Sequence, residues 1–146
     1  MTPDPPLLSI ENLGVSFGAS RVVDAVTFTV CAGEKVGLVG ESGSGKSVTA
    51  LSILRLVEGA RYEGAIRLEG GDILKKSERQ MRGIRGNRVA MIFQEPMTAL
   101  NPLYTVGNQI AEVLELHEAL RPAEARAKAI ELLATTGIPD PARRVE

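Results

Sequence analysis

The chain has 146 residues, 44% hydrophobic and 24% charged, the composition of an ordinary globular domain. Its 17 basic and 18 acidic residues leave a net charge of −1, which speaks against a polybasic surface for nucleic acid or membrane. Phe17, Phe28, Phe93, Tyr62 and Tyr104 are the only aromatics and Trp is absent, so a stacking platform for single-stranded nucleic acid is not supported.

Residues 1–6 are proline-rich, lack the basic and apolar regions of a signal peptide, and read as a short disordered tail. Residues 7–17 (LLSIENLGVSF) have period-2 stretches that predict a strand interrupted at Glu11-Asn12. Residues 21–30 alternate and are rich in β-branched side chains, predicting a second strand, hairpin-paired with the first across Gly18-Ala19-Ser20. Cys31 has no second cysteine for a disulfide or metal site, reads as a small strand residue, and fits a reduced, cytosolic setting. Ala32-Gly33-Glu34 is a turn. The run 35–39 (KVGLV) lacks alternation, as expected of a strand buried on both faces of a parallel sheet.

An amphipathic helix is predicted over 46–56, with Val48, Leu51, Leu54 and Leu56 as its apolar stripe. Another strand follows at 62–68. Ser77 with Gln80 forms a capping-box pattern opening a short helix through Ile84, and 88–93 (RVAMIF) reads as a buried strand. Asn101-Pro102 breaks the chain, and 105–136 reads as two helices divided at Arg121-Pro122. No window approaches the roughly 20 apolar residues of a membrane span.

The segment Gly40-Glu41-Ser42-Gly43-Ser44-Gly45-Lys46-Ser47 matches G-x-x-x-x-G-K-[ST] in full, between a predicted strand and a predicted helix. Glycines let the backbone curl so that its N–H groups face an anion, and the helix N-terminus adds unpaired amides and its dipole. Lys46 supplies a charge for the β- and γ-phosphates and Ser47 a hydroxyl for Mg²⁺. The bland alternative is a glycine-rich strand-to-helix turn with a chance lysine. A P-loop alone does not choose among kinases, GTPases and ATPases, but no N-K-x-D or later D-x-x-G motif supports a GTPase.

GESGSGKS at 40–47, VTALSILRL at 48–56, MRGIRGNRVAMIFQEPMTALNP at 81–102 and the following LYTVGNQIAEVLELH extend the evidence. With these segments the chain resembles the ATP-binding subunit of ABC transporters, in the branch serving dipeptide, oligopeptide or nickel importers. The resemblance implies an α/β P-loop NTPase fold of the ABC type, with an antiparallel β part and the start of a helical subdomain. Residues 7–102 would form the ATP-binding core and 103–146 the start of that subdomain. It implies ATP and Mg²⁺ as ligands, with residues 40–47 and Val48 on the nucleotide. Phe17 would stack on adenine at the family's A-loop position; the alternative is a strand-end core residue sharing a face with Val15.

Gln94 takes the Q-loop position, where its amide oxygen can reach Mg²⁺ and orient the attacking water; the alternative is a solvated loop glutamine. Residues 94–104 would face a transmembrane permease. Further implied partners are a second ATPase subunit, head to tail, and indirectly a solute-binding protein, at the cytoplasmic face of the membrane and without nucleic acid. His117 reads as a helix surface residue, and the Arg82, Arg85 and Arg88 cluster as a solvated face. The family's signature L-S-G-G-Q, Walker B carboxylates and switch histidine would follow Glu146. This chain is therefore expected to be an N-terminal part, inactive in hydrolysis by itself. The runner-up functions are a nucleotide-binding module without hydrolysis and a soluble non-transport ABC protein.

Overall fold

A computed structural model describes residues 5–93 and 100–146. They divide into two compact units, one reaching Arg82 and the other starting at Gly83. The first unit is built on an antiparallel sheet of order β2-β1-β3-β4.

Strand β1 (Leu8–Phe17) sits between β2 (Ser20–Val30) and β3 (Arg61–Leu68). Its apolar residues change phase, from Leu8 and Ile10 to Leu13, Val15 and Phe17. A regular strand would send those two sets to opposite faces. The interruption expected at Glu11-Asn12 resolves the conflict. Pairing with β2 slips between Ile10 and Leu13, Asn12 takes φ 48, and Ile10, Leu13 and Val15 all become fully buried. The Asn12 N–H is satisfied by Thr27 Oγ1 at 2.9 Å.

The hairpin closes as expected, with Phe17 opposite Ser20. A further slip separates the pairs Val15–Val23 and Ser16–Arg21, leaving Val22 as a bulge. After β3 come the short β4 (Gly71–Asp72), a 3₁₀ turn (Ile73–Lys75) and helix α2 (Glu78–Arg82). The capping box is present. The Ser77 N–H donates to Gln80 Oε1 at 2.8 Å, and the Gln80 N–H donates to Ser77 Oγ at 3.3 Å. Ile10, Leu13, Val15, Val23, Leu54, Ile66, Ile73 and Met81 are the buried apolar residues of this unit.

Helix α1 (Lys46–Ile53) ends short of the expected Leu56. Arg55 turns left-handed at φ 51, and the N–H groups of Arg55 and Leu56 close on Ser52 O and Leu51 O, both at 3.0 Å. Glycine usually takes that place; here the strain, roughly 1–2 kcal/mol, is offset by the Arg55 guanidinium donating to Lys76 O at 2.5 Å.

Two expected strands are absent. Residues 35–39 and 88–93 have no strand structure, and Val39 and Ile92 are 94% and 98% exposed. A parallel strand is held by neighbours on both sides and helices on both faces. Among the described residues the only β-bridge to either segment is Arg85 to Val89. Cys31 also departs from its strand reading. It is exposed in the turn after β2, where the Glu34 N–H donates to Cys31 O at 3.1 Å.

The second unit is helical. Helices α3 (Val106–Glu118) and α4 (Pro122–Thr135) divide at Arg121-Pro122 as expected, and the Arg121 N–H donates to Glu124 Oε2 at 2.9 Å. A four-residue helix not foreseen, α5 (Pro141–Arg144), brings Val145 into a core with Ala129 and Leu133, flanked by Val106, Ile110 and Ile130. There the Gly107 N–H donates to Val145 O at 2.9 Å, an approach a Cβ on residue 107 would block.

Candidate functional site

The loop 40–47 leads into α1, and its backbone shows why glycines occupy it. Gly43 and Gly45 stand at φ 82 and 87, the left-handed region where a Cβ is strained. A Cβ on Gly40 would lie 2.7 Å from Ser44 Oγ and 3.8 Å from Lys46 Cδ, so the missing side chain leaves the room through which the lysine folds. The Ser44 N–H donates to Glu41 O at 3.2 Å and closes the curl.

Lys46 is the first residue of α1, yet its side chain turns back into the loop. Its Nζ donates to Gly40 O at 2.6 Å, Glu41 O at 2.5 Å and Ser44 Oγ at 3.2 Å. The loop thus wraps its own cation with neutral oxygens. No side chain caps α1, and its first turn carries no acid, so its N-terminal amides and dipole meet no built-in anion. Ser42 and Ser47 are exposed. Val48 is half-buried, its carbonyl accepting from Ser52 Oγ at 2.6 Å.

Gly45 also fixes where the loop rests. A Cβ on it would fall 2.7 Å from Val22 O and 3.1 Å from Val23 Cγ2, so the helix start is seated on the bulge of β2. The period-2 pattern of residues 21–30 hides that bulge, and no sequence signal marked Val22 as the loop's support. Val23 pairs with Val15, and Phe17 lies two residues further along β1 on the same face, roughly 7 Å away by strand rise. Phe17 is 37% exposed at the hairpin end. The register therefore brings an open aromatic and the phosphate-type loop to one face of one sheet.

Gln94 lies outside the described residues. His117 is half-buried, and its Nε2 sits 3.2 Å from the place a Cβ on Gly86 would take, so the helix-surface reading holds only in part. Among the described residues no group of three or more His, Cys, Asp or Glu could hold a metal, and no helix is long and apolar enough to cross a membrane.

Comparison with known proteins agrees with this geometry. The profile of a family described as ABC transporter matches residues 23–146. The peptidoglycan transport ATP-binding protein YejF of Agrobacterium fabrum is 51% identical over 99% of this chain and 28% of its own length. The dipeptide transport ATP-binding protein DppD of Escherichia coli is 46% identical over 96% of this chain and 45% of its own. The chain thus spans less than half the length of these relatives. A solved structure of an ATP-binding subunit of an ABC transporter superposes with a TM-score of 0.69 at 28% identity, covering 95% of this chain and 52% of that one.

Proposed function

Since the chain belongs to the ABC transporter family, we propose that it forms the ATP-binding part of a subunit that energises import of peptides or similar small solutes. The observation that carries this is the loop 40–47 curled around Lys46 at the uncapped start of α1. An incoming nucleotide would let the ammonium exchange carbonyl oxygens for β- and γ-phosphate oxygens, a charge-assisted contact in place of neutral ones. The backbone of Gly40, Glu41, Ser42, Gly43, Ser44 and Gly45, with Ser47 and Val48, would line the phosphates. The room a Cβ on Gly40 would fill is the fit such a ligand needs. Phe17, open on the same face, would stack on adenine.

Bound Mg²⁺ would neutralise phosphate charge. As the family resemblance implies, the Ser47 hydroxyl and the Gln94 amide would hold it. Residues 7–102 would make the ATP-binding core and 103–146 the start of the helical subdomain. A membrane permease, a second ATPase subunit packed head to tail, and a solute-binding protein acting through the permease are the expected partners. The subunit would lie on the cytoplasmic face of the membrane as a peripheral component. The relatives' names, all of transport proteins, support this reading over a soluble non-transport role.

Lys46→Ala tests it. Removing the ammonium should weaken MgATP binding, measured by calorimetry, by about 1.5–3 kcal/mol, or roughly 10- to 150-fold. Unchanged affinity would refute the assignment.

A further inference from the structure

The bulge at Val22 carries an ion pair across it. In a regular strand residues 21 and 24 point to opposite faces, because side chains alternate. The extra residue at Val22 changes the phase and puts both on one face, where Arg21 Nε meets Asp24 Oδ1 at 2.8 Å. The same guanidinium places Nη1 3.0 Å from Glu63 Oε2 on β3. To get there it crosses β1 over Gly14, the register partner of Glu63. A Cβ on Gly14 would lie 2.5 Å from Arg21 Nη2, so this buried glycine clears the lane for the crossing.

Arg21 lies on the face away from the candidate nucleotide site. It pairs with Ser16, whereas Phe17 and Ser20 form the next pair, and alternation sends neighbouring pairs to opposite faces. Its guanidinium does not reach a bound nucleotide, yet each of its bonds bears on one. The bond to Asp24 spans the bulge whose Val22 O seats Gly45 and the start of α1. The bond to Glu63 ties the same stretch of β2 to β3, one residue from Ser20, which faces Phe17 across the hairpin. All three side chains keep much of their surface in water, so the pairs add little to global stability. What they fix is register. A bulge bends and twists its strand, so re-pairing Phe17 with Arg21 would erase the seat of Gly45 and re-aim the hairpin end that carries Phe17.

We infer that Arg21 is a positioning residue for the nucleotide: by locking the Val22 bulge it sets Phe17 at a fixed offset from the phosphate loop. The inference rests on the nucleotide-binding reading above and adds what holds the two ends of that site in register. Base and triphosphate are joined covalently in ATP. The aromatic therefore contributes to affinity only where its offset from the loop matches the length of the ligand. Arg21 supplies no contact of its own and acts through Val22 and Phe17.

The test compares two ligands by calorimetry on the full chain, MgATP and magnesium tripolyphosphate, which carries the phosphates without the base. A thermal melt accompanies each variant. Stacking on Phe17 should make the wild-type chain bind MgATP about 5- to 150-fold tighter than tripolyphosphate. Arg21→Met keeps the aliphatic stem, removes the charge, and should cut that advantage by about 2- to 10-fold. Asp24→Asn weakens only the pair across the bulge; it should cut the advantage in the same direction, and it serves should Arg21→Met fail to fold. With Phe17→Ala already in place, Arg21→Met should cause no further drop, because nothing remains to be positioned. A residue that only stabilised the sheet would lower the melting temperature and leave the ratio of the two affinities unchanged, and that result overturns the positioning role. So does a further drop on the Phe17→Ala background. A wild-type chain that binds neither ligand overturns the nucleotide reading and this inference with it.

Discussion

Alanine at Gly45 and at Gly43 should damage the molecule to different extents, and the difference measures how closely the phosphate-type loop is seated on the sheet. Both residues are left-handed, φ 87 and 82, so each substitution costs roughly 1–2 kcal/mol in backbone strain. At Gly43 the new Cβ meets nothing within 4 Å, and strain is the whole effect. At Gly45 it arrives 2.7 Å from Val22 O and 3.1 Å from Val23 Cγ2, against a bulge flanked by the pairs Val15–Val23 and Ser16–Arg21. Overpacking of that kind adds about 1–3 kcal/mol, giving about 2–5 kcal/mol for Gly45→Ala in all. The loss is a large share of the 5–15 kcal/mol typical of a domain. Urea unfolding followed by circular dichroism reads both variants, and nucleotide calorimetry on the folded fraction separates stability from binding. Equal destabilisation of the two variants would show that the loop does not rest on the Val22 bulge.

Gly107→Ala should disrupt the second unit, because its Cβ would collide with Val145 and displace the Gly107–Val145 hydrogen bond. About 2–3 kcal/mol of lost stability and faster proteolysis near α5 are expected, and a wild-type melt would contradict the packing. Phe17→Ala should weaken nucleotide binding by about 1–3 kcal/mol and by similar factors for ATP and GTP, since stacking is indifferent to the base. Phe17→Tyr should preserve binding; an affinity insensitive to Phe17→Ala would return Phe17 to the hairpin core.

Local features of the fold were legible where short-range chemistry decides them. The Glu11-Asn12 break, the Gly18 turn, the Ser77–Gln80 box and Pro122 each act within a few residues, and each appears where the pattern places it. The loop 40–47 was legible for the same reason, since its glycines state the backbone they need. Residues 35–39 and 88–93 were not, because a run such as KVGLV is a strand only if distant segments pair with it. The early stop of α1 escaped because Arg55 takes a glycine's conformation and recovers the strain through a bond to Lys76, 21 residues away. Gln109 escaped as well: nothing in helical periodicity marks a polar residue whose amide reaches back eight positions to Asn101.

The bulge at Val22 has a consequence for biosynthesis. The ribosome releases residues 8–30 before the loop 40–47, and an antiparallel pair joined by a tight turn closes within about 1–10 μs. Translation adds only about 5–20 residues per second. The seat for Gly45 is thus available to the nascent chain a second or so before Gly45 itself leaves the exit tunnel. The loop emerges onto a waiting template, and codons that slow elongation once residue 47 has left the tunnel cannot delay the assembly of its support.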